Sequence, residues 1–540
     1  MKKLSIIFMM CICTSAFAQK YTHADSLKGS DRPQRNDFNV TYYDLNLQVD
    51  IPNKFIKGWV GIYCTRVKND VNQIQVDLYS NFKINSIQDE KGNNLNFKRD
   101  GNAIFVDFIS KDPGLFLKVD YEGNPSVSKN APWEPGFVFT KDKKGRPWVG
   151  VACQAVGSSI WWPSKDTQAD EADSVKITVT TQSDLNVVAN GNLRSEIKNG
   201  KLKTTTWFVS YPINNYDVSV NIGKYVNFNE KYKGVEATYN LDYYVLDYNL
   251  KKARKHFTQV VPMMNAFEKT LGPYPFPRDG YALVETPYLG MEHQSGIAYG
   301  NDYQIGYDGM ERSGIDLKFD FIIIHETGHE WWGNSVGTKD VADMWVHEGF
   351  CTYAEALYVE ELFGPDTALM YCNAWKNYIY NDKPIIGDYG VQNEGSGDMY
   401  NKGALMLHTL RWLVNDDPKW FNTIKGIQKD FRFQIVTSDQ IIAYMNEKLE
   451  KDYTWFFDQY LKKAKPPVLK YELTSAGKDL QARIWFSNVS SQFKLPLFFK
   501  MGNSSWKQFE ISGEPQIIIF ENMEKSMFKV DTWHAYFIYE

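Results

Sequence analysis

The sequence His325-Glu326-Thr-Gly-His329, continued by Glu348 in Val-His-Glu-Gly-Phe, decides most of what this chain predicts. Two histidines at positions i and i+4 lie on one face of a helix, so both imidazoles reach a single metal ion. The residues between His329 and Glu348 suffice for the first helix to end and for a second helix to bring the Glu348 carboxylate to the same metal ion. Two nitrogens and one oxygen form the ligand set of a catalytic zinc ion, whose fourth position stays open for water. Glu326 reaches that water without binding the metal, which predicts a zinc hydrolase.

A buried structural helix is the alternative explanation of the same residues. The run from Phe319 to Ile324 is apolar enough for a core helix in which hydrogen bonds satisfy both imidazoles. Only eight histidines occur in the chain. A chance His-Glu-x-x-His is therefore rare, on the order of one per cent. The carboxylate downstream lowers that chance further and favours the metal site.

The size and charge of the chain set broad limits. Its 540 residues suffice for two to four domains with large cores. The net charge of −5 and the isoelectric point near 6 give no indication of nucleic-acid binding, and we expect no nucleic-acid partner. Aromatic residues make up 15% of the chain, a high share that suits large cores and aromatic-lined clefts.

The first residues are typical of a signal peptide. Lys2 and Lys3 precede an apolar run from Leu4 to Cys13, and Ala16-Phe-Ala18 forms a small-residue cleavage site. A run of about ten apolar residues is too short to span a bilayer. We therefore predict a signal peptide over residues 1–18 and an exported protein, periplasmic or secreted in a bacterial host, without stable membrane insertion.

Four cysteines remain after that segment, namely Cys64, Cys153, Cys351 and Cys372. Export permits disulfides, but four cysteines in a chain of this length do not form a disulfide framework. Cys351 and Cys372 are candidates either for one pair or for buried free thiols. Neither is needed by the metal, because the His/His/Glu set is already complete.

The hydrophobic pattern changes period twice along the chain. Residues 19–240 contain alternating strands such as Val40–Asp50, which predict a large antiparallel β domain. Residues 241–465 are mainly helical and contain the metal motif. After the boundary at Pro466-Pro467, residues 466–540 alternate again and suit a small β-sandwich. The fold class is thus multidomain α+β.

Several further motifs stand in a fixed order around the metal signature. They are Gln154 in Val-Ala-Cys-Gln-Ala, Trp161-Trp162-Pro163, Gly290-Met291-Glu292-His293 and Tyr400-Asn-Lys402-Gly403-Ala404. Together they resemble the aminopeptidase N family of zinc metallopeptidases, gluzincins that include the leukotriene hydrolase branch. The resemblance covers nearly the whole chain after the signal peptide.

The resemblance implies an N-terminal β saddle, a thermolysin-like catalytic domain and a β-sandwich. Many members of that family continue into a C-terminal helical domain. The sequence stops at Glu540, directly after the predicted sandwich. We therefore expect no helical domain, with a more open cleft or closure by a partner subunit; the oligomeric state is not predicted.

The resemblance also assigns roles to individual residues. His325, His329 and Glu348 are expected to bind one Zn²⁺, while Glu326 acts as general base and Tyr400 stabilises the oxyanion. Substrate contacts are expected from Gln154, Gly290, Met291 and Glu292. A carboxylate at Glu292 pairs with a free α-ammonium, whose pKa is near 8, so peptides with a free N-terminus are the expected partners.

Two histidines depart from the usual family pattern. His293 stands where asparagine is common, and either a substrate contact or a packed, hydrogen-bonded role suits it. His347 directly precedes the ligand Glu348, but adjacent helical residues diverge by about 100°, which disfavours metal binding. Asn334 and Asp343 are expected to orient the ligands or to cap helices.

The sequence thus predicts an exported zinc aminopeptidase that hydrolyses N-terminal residues from peptides. Two alternatives remain open. One is hydrolysis of a non-peptide epoxide, known in one branch of the family, and the other is a degenerate peptide-binding module. The second alternative predicts a broken ligand or base, whereas all of these residues are present.

Overall fold

The structure of the protein is a computed structural model. It describes residues 21–29, 32–68, 72–108, 112–154, 156–311, 313–316, 318–501 and 505–539. The predicted signal peptide of residues 1–18 lies outside the described residues. Within the described part of the chain, no helix is both long and apolar enough to cross a membrane.

Among the residues that the structure describes before position 225 there are two short α-helices and sixteen strands, because alternating apolar residues dominate this region. The elements are α1 His23–Gly29, α2 Pro33–Asn36, β1 Phe38–Asp50, β2 Phe55–Arg66, β3 Gln73–Asp77, β4 Phe82–Gln88, β5 Phe97–Asp100, β6 Ala103–Asp107, β7 Gly114–Gly123, β8 Gly136–Lys141, β9 Pro147–Ala152, β10 Glu171–Ala172, β11 Ser174–Gln182, β12 Asn186–Ala189, β13 Asn192–Asn199, β14 Leu202–Val209, β15 Ile213–Asn214 and β16 Val220–Gly223. They form a seven-stranded sheet in the order β13-β14-β11-β1-β2-β7-β4 and three smaller sheets, β12-β16-β9-β8, β3-β6-β5 and β10-β15.

One pair in the large sheet corrects the prediction of a purely antiparallel β domain. β1 and β11 run parallel, with Tyr42 opposite Ser174 and Gln48 opposite Thr180. Parallel strands require a long crossover, and the many residues between β1 and β11 supply it. The alternation of apolar residues reports which face of a strand is buried and carries no information about the direction of its neighbour.

A five-stranded sheet joins the β region to the helical region. Its strands are β17 Tyr225–Lys233, β18 Thr238–Leu246, β19 Tyr281–Glu285, β20 Gly290–Met291 and β21 Ile297–Tyr299, in the order β17-β18-β19-β21-β20. The predicted domain boundary between residues 240 and 241 falls inside β18. This strand pairs with β17 on one side and with β19 on the other. The edge strand β20 carries the Gly-Met-Glu motif.

Nine helices and two short strands complete the central region among the described residues. They are α3 Leu250–His256, α4 Val260–Thr270, α5 Phe321–Gly328, β22 Val336–Thr338, α6 Trp345–Phe363, α7 Pro365–Ala374, α8 Asn401–Val414, α9 Asp417–Asp430, β23 Gln434–Val436, α10 Ser438–Lys448 and α11 Thr454–Leu461. A 3₁₀ turn at Phe257–Gln259 separates α3 from α4.

The C-terminal region consists of two small sheets. Its strands are β24 Val468–Ala476, β25 Asp479–Ser487, β26 Lys494–Met501, β27 Ser505–Ser512, β28 Gln516–Phe520 and β29 Ile538–Tyr539, arranged as β28-β25-β24-β29 and the hairpin β26-β27. Its buried side chains are continuous with those of the helical region. The Tyr460 hydroxyl, for example, donates to Tyr536 O at 2.6 Å. The expected lack of a further helical domain stays a prediction.

Candidate active site

The first two candidate ligands lie at the end of α5. The side chain of Asp320 caps this helix by accepting a hydrogen bond from Ile322 N at 3.0 Å, and isoleucines bury its core face. His325 lies in the last turn. His329 follows the final helical residue but keeps helical backbone angles (φ −65°, ψ −21°), so both rings stay on one side. The i, i+4 prediction is therefore realised at a helix terminus.

The third candidate ligand lies in the first turn of α6. A 3₁₀ turn at Val341–Asp343 leads into this helix, and Asp340 caps the turn by accepting from Ala342 N at 2.9 Å. α6 is buried from Trp345 through Val359, which fixes the direction of Glu348. Gly349 allows the close approach of α8, because a Cβ there would lie 3.1 Å from Met399 O.

The three atoms expected to bind metal form a compact triangle. His329 Nε2 lies 3.4 Å from His325 Nε2 and 3.3 Å from Glu348 Oε2, and His325 Nε2 lies 3.6 Å from the same oxygen. Ligands on a tetrahedral ion with bonds of about 2.1 Å are about 3.4 Å apart. Glu348 Oε2 is buried and has no hydrogen-bond partner. The donor set therefore fits a small tetrahedral cation.

Hydrogen bonds on the far side of each imidazole direct Nε2 towards this centre. His325 Nδ1 lies 2.7 Å from Glu355 Oε1, and His329 Nδ1 lies 2.9 Å from Trp332 O. Both acceptors favour the tautomer with the proton on Nδ1, which leaves the Nε2 lone pair for metal. Tyr371 OH in turn donates to Glu355 Oε2 at 2.7 Å.

Sequence analysis missed Glu355 and Tyr371, although part of the information was available. Glu355 follows Glu348 by seven residues, two helical turns, so both carboxylates lie on the same face of α6. The contribution of Tyr371 is not readable from the sequence, because α7 reaches the site only through the packing of α6 against α7.

The four cysteines in the described part of the chain take no part in a disulfide. Cys64, Cys153, Cys351 and Cys372 are all buried free thiols, which decides the alternative left open for Cys351 and Cys372. Cys351 Sγ can approach the two ligand histidines as a metal donor. It donates instead to His325 O at 2.8 Å, so the thiol helps to fix the end of α5.

The candidate base, Glu326, belongs to α5, and its carboxylate lies beside Gly290 of the edge strand β20. Burial raises the pKa of Glu326, whereas His325 and His329 act in the opposite direction. Gly290 makes room for this carboxylate, because a Cβ at that position would lie 2.7 Å from Glu326 Oε1 and 2.6 Å from Ile322 Cγ2. Gly290 thus supports the base sterically.

Gln154 and Glu292 meet beside the triangle, as the sequence predicted. Gln154 Nε2 donates to Glu292 Oε1 at 2.5 Å and to Glu348 Oε1 at 3.1 Å. Burial is the main reason that the pKa of Glu292 is raised to about 8, with His329 opposing and Glu348 adding to the rise. Asn334 Nδ2 donates to Glu292 O at 2.9 Å and holds the backbone of the motif.

Tyr400 faces the site from the start of α8. A 3₁₀ turn at Gly397–Met399 precedes it, and its ring centroid lies 6.1 Å from that of His325. Burial, followed by the charges of Glu348 and Glu292, raises the pKa of the phenol well above its ordinary value. The hydroxyl therefore stays protonated and able to donate a hydrogen bond.

Three residues considered from the sequence, His347, Asp343 and His293, contribute no atom to the ligand triangle and do not line the cavity around it. His347 Nε2 contacts Thr338 Oγ1 at 3.0 Å, on another face of α6. Asp343 accepts from Tyr389 OH at 2.6 Å and from the Ser438 hydroxyl. His293 is fully buried, neither ring nitrogen has a hydrogen-bond partner, and burial lowers its pKa to about 3.

A cavity of about 700 Å³ surrounds the ligand triangle and the side chains of Glu326 and Tyr400. Its walls include Met291, Glu292, Glu326, the ligand triangle and Tyr400, together with Gln154 from the β region. A cavity of this size accommodates a short peptide or another small molecule. All nine site residues predicted from the sequence therefore line one cavity.

Comparison with known protein families identifies one match. The family model described as "Peptidase family M1 domain" matches residues 255–460. Similar curated proteins are leucine aminopeptidase 2 of the yeast Vanderwaltozyma polyspora, 26% identical over 82% of this chain, and aminopeptidase B of mouse, 23% identical over 48%. The chain spans 68% and 43% of the lengths of these two relatives.

Solved structures with the same fold include an M1 zinc metallopeptidase of Deinococcus radiodurans, as a mutant bound to a Tyr-Ser-Ala substrate. It is 20% identical, with a TM-score of 0.66 over 82% of this chain and 98% of that one. Aminopeptidase A of Legionella pneumophila, in complex with aspartic acid, is 16% identical, with a TM-score of 0.71 over 90% of this chain and 57% of that one.

Proposed function

The chain belongs to the M1 peptidase family of metallo-aminopeptidases, and from that premise we propose that it is a zinc-dependent aminopeptidase acting on peptides with a free N-terminus. The observation that carries the proposal is the position of Glu292. Its carboxylate shares the donor Gln154 Nε2 with the ligand Glu348, so an amine anchor lies next to the metal-ligand triangle.

The choice of zinc rests on the donor set. Two imidazole nitrogens and one carboxylate oxygen at tetrahedral spacing match the three-ligand catalytic zinc sites. When bound, zinc supplies a Lewis acid that polarises the scissile carbonyl and promotes ionisation of water. The hydrogen bonds that His325 Nδ1 donates to Glu355 and His329 Nδ1 donates to Trp332 O hold the two imidazoles in the tautomer that this role requires.

The protein's own groups account for the proton transfers. Glu326 takes a proton from the attacking water and delivers it to the leaving amine, first as general base and then as general acid. A raised pKa suits both halves of that cycle. The phenol of Tyr400 donates a hydrogen bond to the oxyanion that forms at the carbonyl carbon.

Recognition of the N-terminus follows from the buried carboxylate. A free α-ammonium supplies the positive charge that stabilises the ionised form of the buried Glu292, whereas an acylated amine supplies no such charge. In this proposal Gln154 orients Glu292 through its Nε2 and accepts a second hydrogen bond from the amine through its Oε1. The same pair discriminates against internal peptide bonds.

The test compares alanyl-p-nitroanilide with its N-acetylated counterpart, using the zinc-loaded protein. We expect hydrolysis of the free-amine substrate only. A chelator should abolish this hydrolysis, and Glu326→Gln should lower its kcat by about 10²–10⁴-fold. Glu292→Ala should raise KM for the free amine, whereas Glu236→Ala, an exposed carboxylate paired with Arg432, serves as control. Equal cleavage of both substrates would point to an endopeptidase, and no cleavage of either would point to a binding module or a non-peptide substrate.

We also propose that the protein is exported. Support comes from the basic, apolar and small-residue segments of residues 1–18. N-terminal sequencing of the protein isolated from its host should find Gln19 first. A mature chain that begins at Met1 in the cytoplasm would refute the proposal.

A further inference from the structure

The cavity has two unlike sides around the ligand triangle. On the side of His329 and Glu348 lies the amine anchor, because Gln154 Nε2 connects Glu292 to Glu348. The carboxylates of Glu292 and Glu348 and the imidazole of His329 place ligand atoms within 4.8 Å of one another. This side is polar and narrow.

The opposite side, behind His325, is aromatic. The His325 ring stacks on Phe321, with centroids 5.3 Å apart and an angle of 14° between the planes. Behind it, Glu355 connects His325 to Tyr371, whose ring packs against Trp375 at 5.4 Å. Phe321, Tyr371 and Trp375 all line the cavity on this side, and we call these three residues the aromatic wall.

The direction of a bound peptide follows from these two sides. Its α-ammonium lies at Glu292 and its scissile carbonyl at the ligand triangle, so the chain continues past His325 towards the aromatic wall. Building on the proposed aminopeptidase function, we propose that this wall forms the subsite for the residue after the scissile bond and selects an aromatic or large apolar side chain there. Trp375 and Tyr378 are the specificity-determining residues of this subsite.

The charges of the cavity strengthen the selection. Every charged side chain among its described lining residues other than the two histidines is a carboxylate, namely Glu292, Glu326, Glu348 and Glu355, and none of those lining residues is lysine or arginine. An acidic side chain at the second position of the substrate meets no cation there. The expected order is therefore aromatic and large apolar first, alanine next and aspartate last.

Tyr378 extends the wall to the cavity mouth. It lines the cavity three residues after Trp375 and is 39% exposed. Its partly exposed position makes it suitable for substitution, whereas Trp375 is buried and contributes to packing. A substitution of Trp375 can disturb the packing of the protein, whereas a substitution of Tyr378 is less disruptive, so the two positions test the subsite independently.

The experiment measures kcat/KM of the zinc-loaded full chain for amidated dipeptides that share an N-terminal alanine. These are Ala-Phe-NH₂, Ala-Leu-NH₂, Ala-Ala-NH₂ and Ala-Asp-NH₂, in which amidation removes the terminal carboxylate. We expect kcat/KM for Ala-Phe-NH₂ to exceed that for Ala-Ala-NH₂ by about tenfold or more. One methylene in an apolar pocket already changes kcat/KM by roughly 10- to 200-fold. Ala-Asp-NH₂ should be the slowest.

Ratios within each variant separate specificity from loss of folded enzyme. Trp375→Leu should lower the Ala-Phe-NH₂ to Ala-Ala-NH₂ ratio, and Tyr378→Arg should raise the Ala-Asp-NH₂ to Ala-Ala-NH₂ ratio by about tenfold through a new charge pair. Trp506→Leu changes a tryptophan on β27 that is 49% exposed and lies outside the cavity lining, so both ratios should stay at the wild-type values.

Each outcome bears on a distinct statement. Wild-type rates for Ala-Phe-NH₂ and Ala-Ala-NH₂ within twofold of each other would overturn the subsite while leaving the aminopeptidase function in place. Unchanged ratios in both Trp375→Leu and Tyr378→Arg would overturn the assignment of the wall. Failure of the zinc-loaded protein to cleave any of the four dipeptides would overturn the proposed function and the subsite together.

Discussion

The metal-ligand region and the substrate-anchoring region of this site are built in different ways. The ligands come from one short stretch, residues 325–348, on two helices that follow each other in the chain. The anchors come from distant parts of the chain. Gln154 belongs to the β region, Glu292 directly follows the edge strand β20, and Tyr400 directly precedes α8. The first region depends on local helix geometry, whereas the second depends on how distant elements pack.

This difference separates the expected effects of substitutions. A change in the ligand region removes the metal or the base and stops the chemistry. A change in the anchoring region keeps the metal ligands and the base. It alters substrate binding, stabilisation of the oxyanion, or the stability of the packing that brings the anchors together. The predictions below test this separation.

The largest effect is expected for Glu326→Gln in the ligand region. Without a group that accepts the proton of water, kcat should fall by about 10²–10⁴-fold. Metal content and KM should stay at wild-type values, because Glu326 is not a ligand. Atomic absorption and steady-state kinetics measure both, with the metal-depleted His329→Ala as the reference. Wild-type kcat in Glu326→Gln would contradict the assignment of the base.

Tyr400→Phe is the corresponding test in the anchoring region. Loss of one oxyanion donor should lower kcat by about 10²–10³-fold with little change in KM. The aromatic ring that stacks near His325 is retained, so the packing at the start of α8 should persist. An effect confined to KM would show that Tyr400 binds substrate and does not act on the transition state.

Sequence predicted the ligand region well because a helix converts spacing into direction. His325 and His329 fall on one face by periodicity alone, and Glu348 needed only a second helix. Gln154 was assigned through the family resemblance, since no local pattern relates β9 to α6. The parallel pairing of β1 with β11 was missed, because the alternation of apolar residues reports which face of a strand is buried and not the direction of its neighbour.

Glu355→Gln tests how the ligand region is supported. The amide oxygen of the substituted side chain can still accept a hydrogen bond from His325 Nδ1, but the variant loses the negative charge that makes the imidazole a stronger ligand. Metal affinity should fall by about 10–100-fold. Competition with a chromogenic chelator measures the Kd, and Tyr371→Phe, which keeps the Glu355 charge, should change it less. A metal Kd equal to that of the wild type would show that Glu355 does not support metal binding.

The smallest effect is expected for Lys402→Met, which lies two residues after Tyr400 in the anchoring region. The fully buried Lys402 Nζ donates to Ala464 O at 2.6 Å and to Lys463 O at 3.3 Å, so it ties α8 to the segment before the C-terminal sheets. Loss of these bonds should lower the free energy of unfolding by about 1–3 kcal/mol at pH 7.

Burial lowers the pKa of Lys402 to about 8, which gives this prediction a pH signature. Between pH 8 and the ordinary lysine pKa of about 10.4, the unfolded chain binds more protons at this position than the folded chain. The wild type therefore gains stability from this group as the pH rises through that window, and Lys402→Met does not. Denaturant unfolding at pH 7 and pH 9.5 should show a wider gap at the higher pH. A difference in the free energy of unfolding that becomes smaller at pH 9.5 would contradict the lowered pKa. It would mean that the folded protein stabilises the Lys402 ammonium more than water does, so the interaction between α8 and the segment before the C-terminal sheets would depend on the charge.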